Sequence, residues 1–547
     1  MLSTNFSMDK FTRKLDYRTL TYGVAIILFV LFRLLRSAST QRRVRALGVA
    51  APSPPHSLPF GVDLLITALR KITRHEFSEW TRELLDIPGR TISMDLLSAQ
   101  VILTADVENT KAILSTKVAS VYRVTMITTD FVPFPQFSQF GKGEDFHHIW
   151  HDLMKDSVFA TDGALWHSNK DHLRNYTAKS RPSDLEVTEK HVKILLDNLS
   201  DDCAHDCLED MDRFVLDLVS DVFFGESAGT QLTAEQPLRD AVEEMYEWNT
   251  RKSLLGRLGA LLPGNAAASK VLDGYLDVVI DRAVSREDFQ SEEGMRARST
   301  MLVSLLAQGT DKSRVKDQML AILIGGKVGL AVERSALQGF ADHTYRYQDP
   351  GAIVLVWIMY DLARHPKIMQ RLRQEIHQTV GFDSLPTPKQ LKSMTLLQNV
   401  IKEALRLHTP LGFNIRTAKA DTSLPRGGGK DGQDPVAVLQ GTHVIMSYSG
   451  IQCRPDIVGP TADEFDPDRW NSWTPALWEY LPFNHGPRIC LGRNFAWTMM
   501  EYAVCRVCQT FEQLELVGRK AEDRMKVKIA LNTKPAEAVM LRFRKTL

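Results

Sequence analysis

The segment Phe483-Asn484-His485-Gly486-Pro487-Arg488-Ile489-Cys490-Leu491-Gly492 sets a cysteine just ahead of a long helical pattern, Arg493 to Phe511, with an arginine two residues before it. Unpaired amides at a helix N-terminus and a nearby guanidinium both favour thiolate over thiol. Gly486 and Gly492 permit tight turns and the close approach of a flat ligand. The chemistry that suits this pattern is an anionic sulfur ligating a metal from a loop. Two other cysteine pairs have suggestive spacing. Cys505-Arg506-Val507-Cys508 reads as C-x-x-C but lacks a second half-site, and its strongly helical surroundings point to core packing. Cys203 and Cys207, with His205 between them and Asp201, Asp202, Asp206 and Glu209 around them, read as a solvated helix face. Six cysteines in a chain of 547 residues make no disulfide framework, and a reducing compartment fits.

A loop of this kind needs a rigid body around it. Lys plus Arg is 67 and Asp plus Glu 66, a formal charge of +1, which excludes the strong basic excess of a nucleic-acid binder. With 44% hydrophobic and 24% charged residues the chain is neither disordered nor a coiled coil. Residues 19–32 carry no charge; Arg33 can snorkel at a membrane boundary, Leu34 and Leu35 follow, then Arg36, Arg42, Arg43 and Arg45. Residues 1–50 therefore read as a retained single-pass anchor with a basic flank that holds the rest in the cytosol. The alternative is a helix lying in the membrane surface. Residues 51–59 are a Pro-rich hinge, and 60–547 form the catalytic domain. There, amphipathic helical patterns dominate, as over 197–224, 234–251, 352–380 and 388–408. Strand-like runs are few: 91–95, 101–104, 436–438, 444–447 and 539–543. The pattern is mainly α with small β-sheets.

The cysteine loop matches Phe-x-x-Gly-x-Arg-x-Cys-x-Gly at every fixed position: Phe483, Gly486, Arg488, Cys490 and Gly492. In this the chain resembles the cytochrome P450 superfamily of haem-thiolate monooxygenases. The resemblance implies the P450 fold and a haem b cofactor cradled by those residues. It makes Cys490 the axial thiolate ligand of the iron, pushing electron density onto it to favour O–O cleavage. Glu403-Ala404-Leu405-Arg406 is similar to the family's Glu-x-x-Arg, whose i, i+3 spacing shares one helix face. Pro467-Asp468-Arg469-Trp470 resembles Pro-Glu-Arg-Phe, with Arg469 completing a buried structural network. Trp166-His167-Ser168-Asn169-Lys170 resembles Trp-x-x-x-Arg, which faces a haem propionate; Lys170 keeps the charge but loses the bidentate fork. Arg416 is a second propionate contact by similarity. Within the superfamily, Leu424 to Gly432 and Phe159 to Gly163 resemble segments of the fungal alkane and fatty-acid hydroxylases. This implies an apolar, long-chain or lipid-like substrate, O2, NADPH electrons through a cytochrome P450 reductase, and an endoplasmic reticulum membrane location.

The chain departs from the family at its central helix. Leu320 to Lys327 starts that helix well, and Asp349-Pro350-Gly351-Ala352 through Pro366 resumes it, but residues 328–348 intervene. Joining Lys327 to Asp349 aligns without a gap and makes Asp349 the catalytic acid of the proton relay, with Pro350 and Gly351 where the family has an alcohol. The intervening 21 residues keep the reading frame. They begin with Val328, whose codons all start GT, and end with Gln348, whose codons include CAG, the ordinary limits of an intron. They read as a retained intron; the rival reading is a genuine loop, awkward at this length inside a core helix. The expected activity is insertion of one oxygen atom from O2 into a C–H bond. A haem-thiolate isomerase or dehydratase, or a catalytically impaired haem-binding isoform, is the alternative.

Overall fold

The helical periodicities form most of the molecule, and the strand-like runs fall in separate small sheets: 91–95, 101–104 and 444–447 in one, 436–438 in a hairpin, and 539–543 in a third. The computed structural model of the chain describes residues 39–58, 61–96, 99–116, 139–177, 181–200, 202–233, 237–254, 259, 262–285, 300–325, 350–529 and 532–545. The helices that matter here are α1 (Glu144–Met154), α2 (Gly163–Thr177), α3 (Cys207–Phe224), α4 (Pro237–Leu254), α5 (Lys312–Gly325), α6 (Pro350–Arg364), α7 (Pro366–Thr379), α8 (Thr395–Leu407) and α9 (Arg493–Thr510). At the centre runs α6, buried at every position from Ala352 to Leu362, as a helix apolar on all sides must be. It packs on α3, α7, α8 and α9.

The principal sheet orders its strands β1-β2-β7-β4-β3, from β1 (Thr91–Leu96), β2 (Ala99–Thr104), β3 (Phe140–Gly141), β4 (Phe413–Ala418) and β7 (His443–Ser447). Neighbours are antiparallel except β2 and β7, which run parallel from Val101↔His443 to Thr104↔Met446. A hairpin of β5 (Thr422–Gly428) and β6 (Asp434–Val438) contains the glycine-rich segment. A Cβ on Gly432, where φ is +69°, would stand 2.2 Å from the amide nitrogen of Gly89, so the hairpin sits on the turn before β1 only because that residue is glycine. Residues 49–52 hold on to both sheets: Ala437 N–H donates to Val49 O at 2.9 Å and Ser93 N–H to Pro52 O at 2.8 Å.

Three long helical patterns break where local chemistry outranks periodicity. Residues 352–380 split between α6 and α7 because Pro366 pushes His365 out of the helical region (φ −125°, ψ 68°). Residues 388–408 split at Met394. The pattern over 197–224 is not one helix: a helix Pro182–Asn198 ends, and α3 starts at Cys207, where the Asp206 side chain accepts from Leu208 N–H at 3.2 Å. Cys207 is therefore fully buried, not part of a solvated face, while Cys203 is exposed. Cys505 and Cys508 are fully buried in the core, as expected. Among the described residues no helix is long and apolar enough to cross a membrane; residues 19–35 lie outside them.

Candidate active site

The cysteine loop is held by its own backbone and by an asparagine. Cys490 N–H donates to Phe483 O at 2.9 Å, closing the loop at both ends. Asn484 has φ +63°, unusual for a residue with a side chain, and three hydrogen bonds hold it there. Its amide donates to Arg488 O at 3.1 Å, and its Oδ1 accepts from His485 N–H at 2.9 Å and from the buried Tyr448 hydroxyl at 2.9 Å. Gly486 has φ +73°, and a Cβ there would stand 2.4 Å from Leu114 O, so the tight turn requires glycine. Gly492 differs: its φ of −82° suits any residue. A Cβ there would lie 4.0 Å from Cys490 Sγ, an ordinary contact that the protein around it would accept.

Cys490 is accessible to solvent. Burial pushes its thiol up, while the Gly492 amide and Arg493 pull it down without overcoming burial. Arg488 does not assist, contrary to expectation, because it turns away from the sulfur. It ion-pairs with Asp162, donates to Thr161 O at 3.0 Å and lies 4.5 Å over the Trp166 ring. Its surroundings thus favour the thiol, and a bound metal ion would be needed to hold the sulfur as thiolate.

Beside the loop, Trp166 on α2 is 2% exposed and carries a second cation, Lys170, 5.0 Å from its ring; Lys170 also donates to Pro487 O at 2.9 Å. Arg416 on β4 is 4% exposed and donates to Asn414 Oδ1 at 2.8 Å and to Ile415 O at 2.7 Å. The sequence reading missed Lys142, next to β3, and Asp162. Burial, Arg416 and Arg488 together push the Lys142 ammonium well below its ordinary range, and Arg488 itself falls to about 10 through burial and Arg416. Burial works to raise the Asp162 carboxyl, but Arg488, Lys419 and the Lys142 and Gly143 amides together outweigh it and hold the group below its usual range. Asp162 is the carboxylate in ion-pair contact with this group among the described residues. Several cations crowded into one enclosed place with one shared carboxylate call for further anions. A haem with its two propionates supplies that negative charge beside a cysteine, so the residues present fit the group.

Behind the loop, the structure brings Glu403, Arg406 and Arg469 together. Glu403 and Arg406, on α8, are both fully buried. Arg406 Nε donates to Glu403 Oε2 at 2.9 Å and its Nη2 to Oε1 at 2.8 Å, the bidentate geometry of a strong pair. Glu403 Oε1 also accepts from Arg469 Nε at 2.9 Å and from Asp466 N–H at 3.0 Å. Oε2 accepts from Trp470 Nε1 at 2.9 Å, a member that the sequence reading quoted without giving it this role. Arg406 further donates to Ala462 O at 2.6 Å, which ties α8 to the segment leading to the cysteine loop. The stack of His408 on Trp357, 3.9 Å apart and 4° from parallel, joins the end of α8 to α6. Asp349 and residues 328–348 lie outside the described residues; α5 ends at Gly325 and α6 begins at Pro350.

Comparison with known proteins agrees with this geometry. The family profile described as "Cytochrome P450" matches residues 348–540. The chain is 30% identical over 526 residues to the cytochrome P450 monooxygenase pvhE of Talaromyces variabilis, covering 91% of this chain and 90% of that protein. It is 28% identical to cytochrome P450 52E1 of Candida apicola, covering 92% and 93%. The crystal structure of the cytochrome P450DA heme domain shares the fold, with a TM-score of 0.67 at 18% identity over 92% of this chain and 98% of that one. A haem-loop cysteine at the mouth of a helix, a buried Glu-x-x-Arg network behind it and near full-length likeness to curated monooxygenases identify the chain as a member of the cytochrome P450 family, a P450 monooxygenase.

Proposed function

We propose that the protein hydroxylates an apolar, long-chain aliphatic or lipid-like substrate, using O2 and NADPH electrons delivered by a membrane-bound cytochrome P450 reductase. The observation that carries this reading is the cysteine loop facing a buried cluster of cations. Cys490 would ligate the haem iron, with Phe483, Gly486 and Gly492 shaping the loop around it. Trp166, Lys170, Arg416, Arg488 and Lys142 would hold the propionates, each cation exchanging unfavourable cation–cation contact for a charge-assisted hydrogen bond. When bound, the haem supplies activation of O2 and transfer of one oxygen atom to carbon. The chain's own part would be to hold the cofactor through the propionate cations and to keep the sulfur in place through Asn484. Asp349 carries protons inward, and Pro350 and Gly351 at the start of α6 offer no alcohol, so water or a substrate hydroxyl completes that relay. The aliphatic substrate rests on likeness to the fungal alkane and fatty-acid hydroxylases. The uncharged run 19–32 supports an anchor in the endoplasmic reticulum membrane, where such substrates partition.

The test is turnover of a lipid extract with reductase and NADPH, read by mass spectrometry together with O2 and NADPH consumption. Products heavier by one oxygen are expected, and none from Cys490→Ala, whose reduced carbon monoxide complex should lose the long-wavelength band of thiolate ligation. Product formation without O2 or NADPH consumption would replace this reading with an isomerase or dehydratase.

A further inference from the structure

Away from the cysteine loop, α1 carries His147 and His151 one helical turn apart, and Asp156 follows two residues past the helix end. One potential ligand atom from each lies within 4.8 Å of the other two. His147 Nε2 and Asp156 Oδ1 are 2.8 Å apart, and the two imidazole rings are 5.3 Å apart at 61°. We propose that His147, His151 and Asp156 form a surface site for one divalent transition-metal ion of the zinc class, with water as the fourth ligand.

Spacing and donor chemistry both favour this. Histidines at i and i+4 stand on one helix face, so their rings converge without backbone movement. Metal–ligand bonds of about 2.0–2.2 Å in a tetrahedron hold ligand atoms about 3.3 Å apart. The present separations, 2.8 Å at the hydrogen bond and within 4.8 Å overall, bracket that value. Side-chain rotation closes the gap, because the side chains of His147 and Asp156 are 37% and 50% exposed and free to adjust. Two imidazoles and one carboxylate suit zinc, nickel or copper and disfavour magnesium and calcium, which prefer oxygen shells.

The third ligand is held by a built turn. Lys155, just past α1, has φ +44°, and this bend returns the chain so that Asp156 meets His147. The buried Asn169 amide donates to Asp156 O at 2.6 Å, and Asn169 Oδ1 in turn accepts from the buried Gln318 at 3.1 Å. Asp152, the nearest other carboxylate on α1, is engaged by Lys252 at 2.8 Å and stays out of the set. An ion here would pin α1 to the loop that continues to Thr161 and Asp162, the partners of Arg488. The site would thus clamp the segment that holds Arg488.

The experiment uses untagged holoenzyme, stripped of loose metal with a chelator that leaves haem in place. Zinc is titrated in competition with a chromophoric indicator, and the melting midpoint is followed in parallel. One tight equivalent per chain is expected, with a raised midpoint and no equivalent effect of magnesium. His147→Ala and His151→Ala should each weaken binding by about tenfold or more, and Asp156→Asn should weaken it too. His148→Ala, on the neighbouring helix face, should change nothing. The reduced carbon monoxide spectrum of each variant reports folding independently, and His151→Gln replaces any alanine variant that fails that check. Equal zinc affinity in wild type and the histidine variants, equal competition by magnesium, or loss on His148→Ala alone would each overturn the proposal.

Discussion

Glu403→Gln isolates charge from shape in the buried network. Glutamine keeps the length and one acceptor oxygen but replaces Oε2 or Oε1 with a donor that faces the N–H groups of Arg406, Arg469 or Trp470. Two guanidinium groups then remain, one fully buried and the other nearly so, without their shared counter-charge. Breaking a buried pair from one side costs about 3–5 kcal/mol. An unfolding entropy of about 2.1 cal/mol/K per residue, summed over the chain, gives about 1.1 kcal/mol/K, so the melting midpoint should fall by about 3–4 °C. Total stability of a protein is about 5–15 kcal/mol, so the same loss should also reduce the yield of haem-loaded protein. Scanning calorimetry of the holoenzyme measures the shift. A double change, Glu403→Gln with Arg406→Met, should cost less than the sum of its parts, because removing both partners leaves one fewer orphaned charge. A Glu403→Gln midpoint within about 1 °C of wild type, or strict additivity of the double change, would refute the reasoning.

Lys142→Met should speed haem transfer to an apo-globin acceptor by about tenfold or more, since a charge-assisted hydrogen bond contributes about 1.5–3 kcal/mol; an unchanged transfer rate removes Lys142 from the propionate set. Deleting residues 328–348, which sets Asp349 directly after Lys327, should raise monooxygenase turnover. Transcripts that all carry the coding sequence of this segment, together with an inactive deletion protein, would show it to be a working loop. Glu243 on α4 is half-buried over its surface, but its Oε1 is shut off from solvent, and burial raises its carboxyl to about 7 against the pull of Arg239 and Lys534. The folded state then binds the extra proton between about 4.5 and 7, so this group's stabilisation is full below 4.5 and is lost as pH rises through 7. Glu243→Gln should flatten that decline, by on the order of 2–3 kcal/mol, in denaturant midpoints measured from about pH 5 to 8; parallel curves for wild type and variant would contradict it.

The cysteine loop, the Glu-x-x-Arg helix and the helical class were legible in the residues because each depends on short spacing: a turn, an i, i+3 pair, a period of 3.6. Helix ends were less legible. Pro366 and the Asp206 cap terminate runs that hydrophobic period alone would carry through. What only the tertiary structure decided is which distant groups share an environment. Arg488 sits two residues from Cys490 in sequence yet serves Asp162 and Trp166, more than 300 positions away. Lys142 and Arg416 repel one another across the same enclosed space although 274 residues of chain separate them. Asn484 is the strut of the loop because the fold sets the Tyr448 hydroxyl at its side. Electrostatic and hydrogen-bond partners are chosen by proximity and burial in space. Chain order constrains these only over a few residues, so the loop could be read from the sequence and the charges that surround it could not.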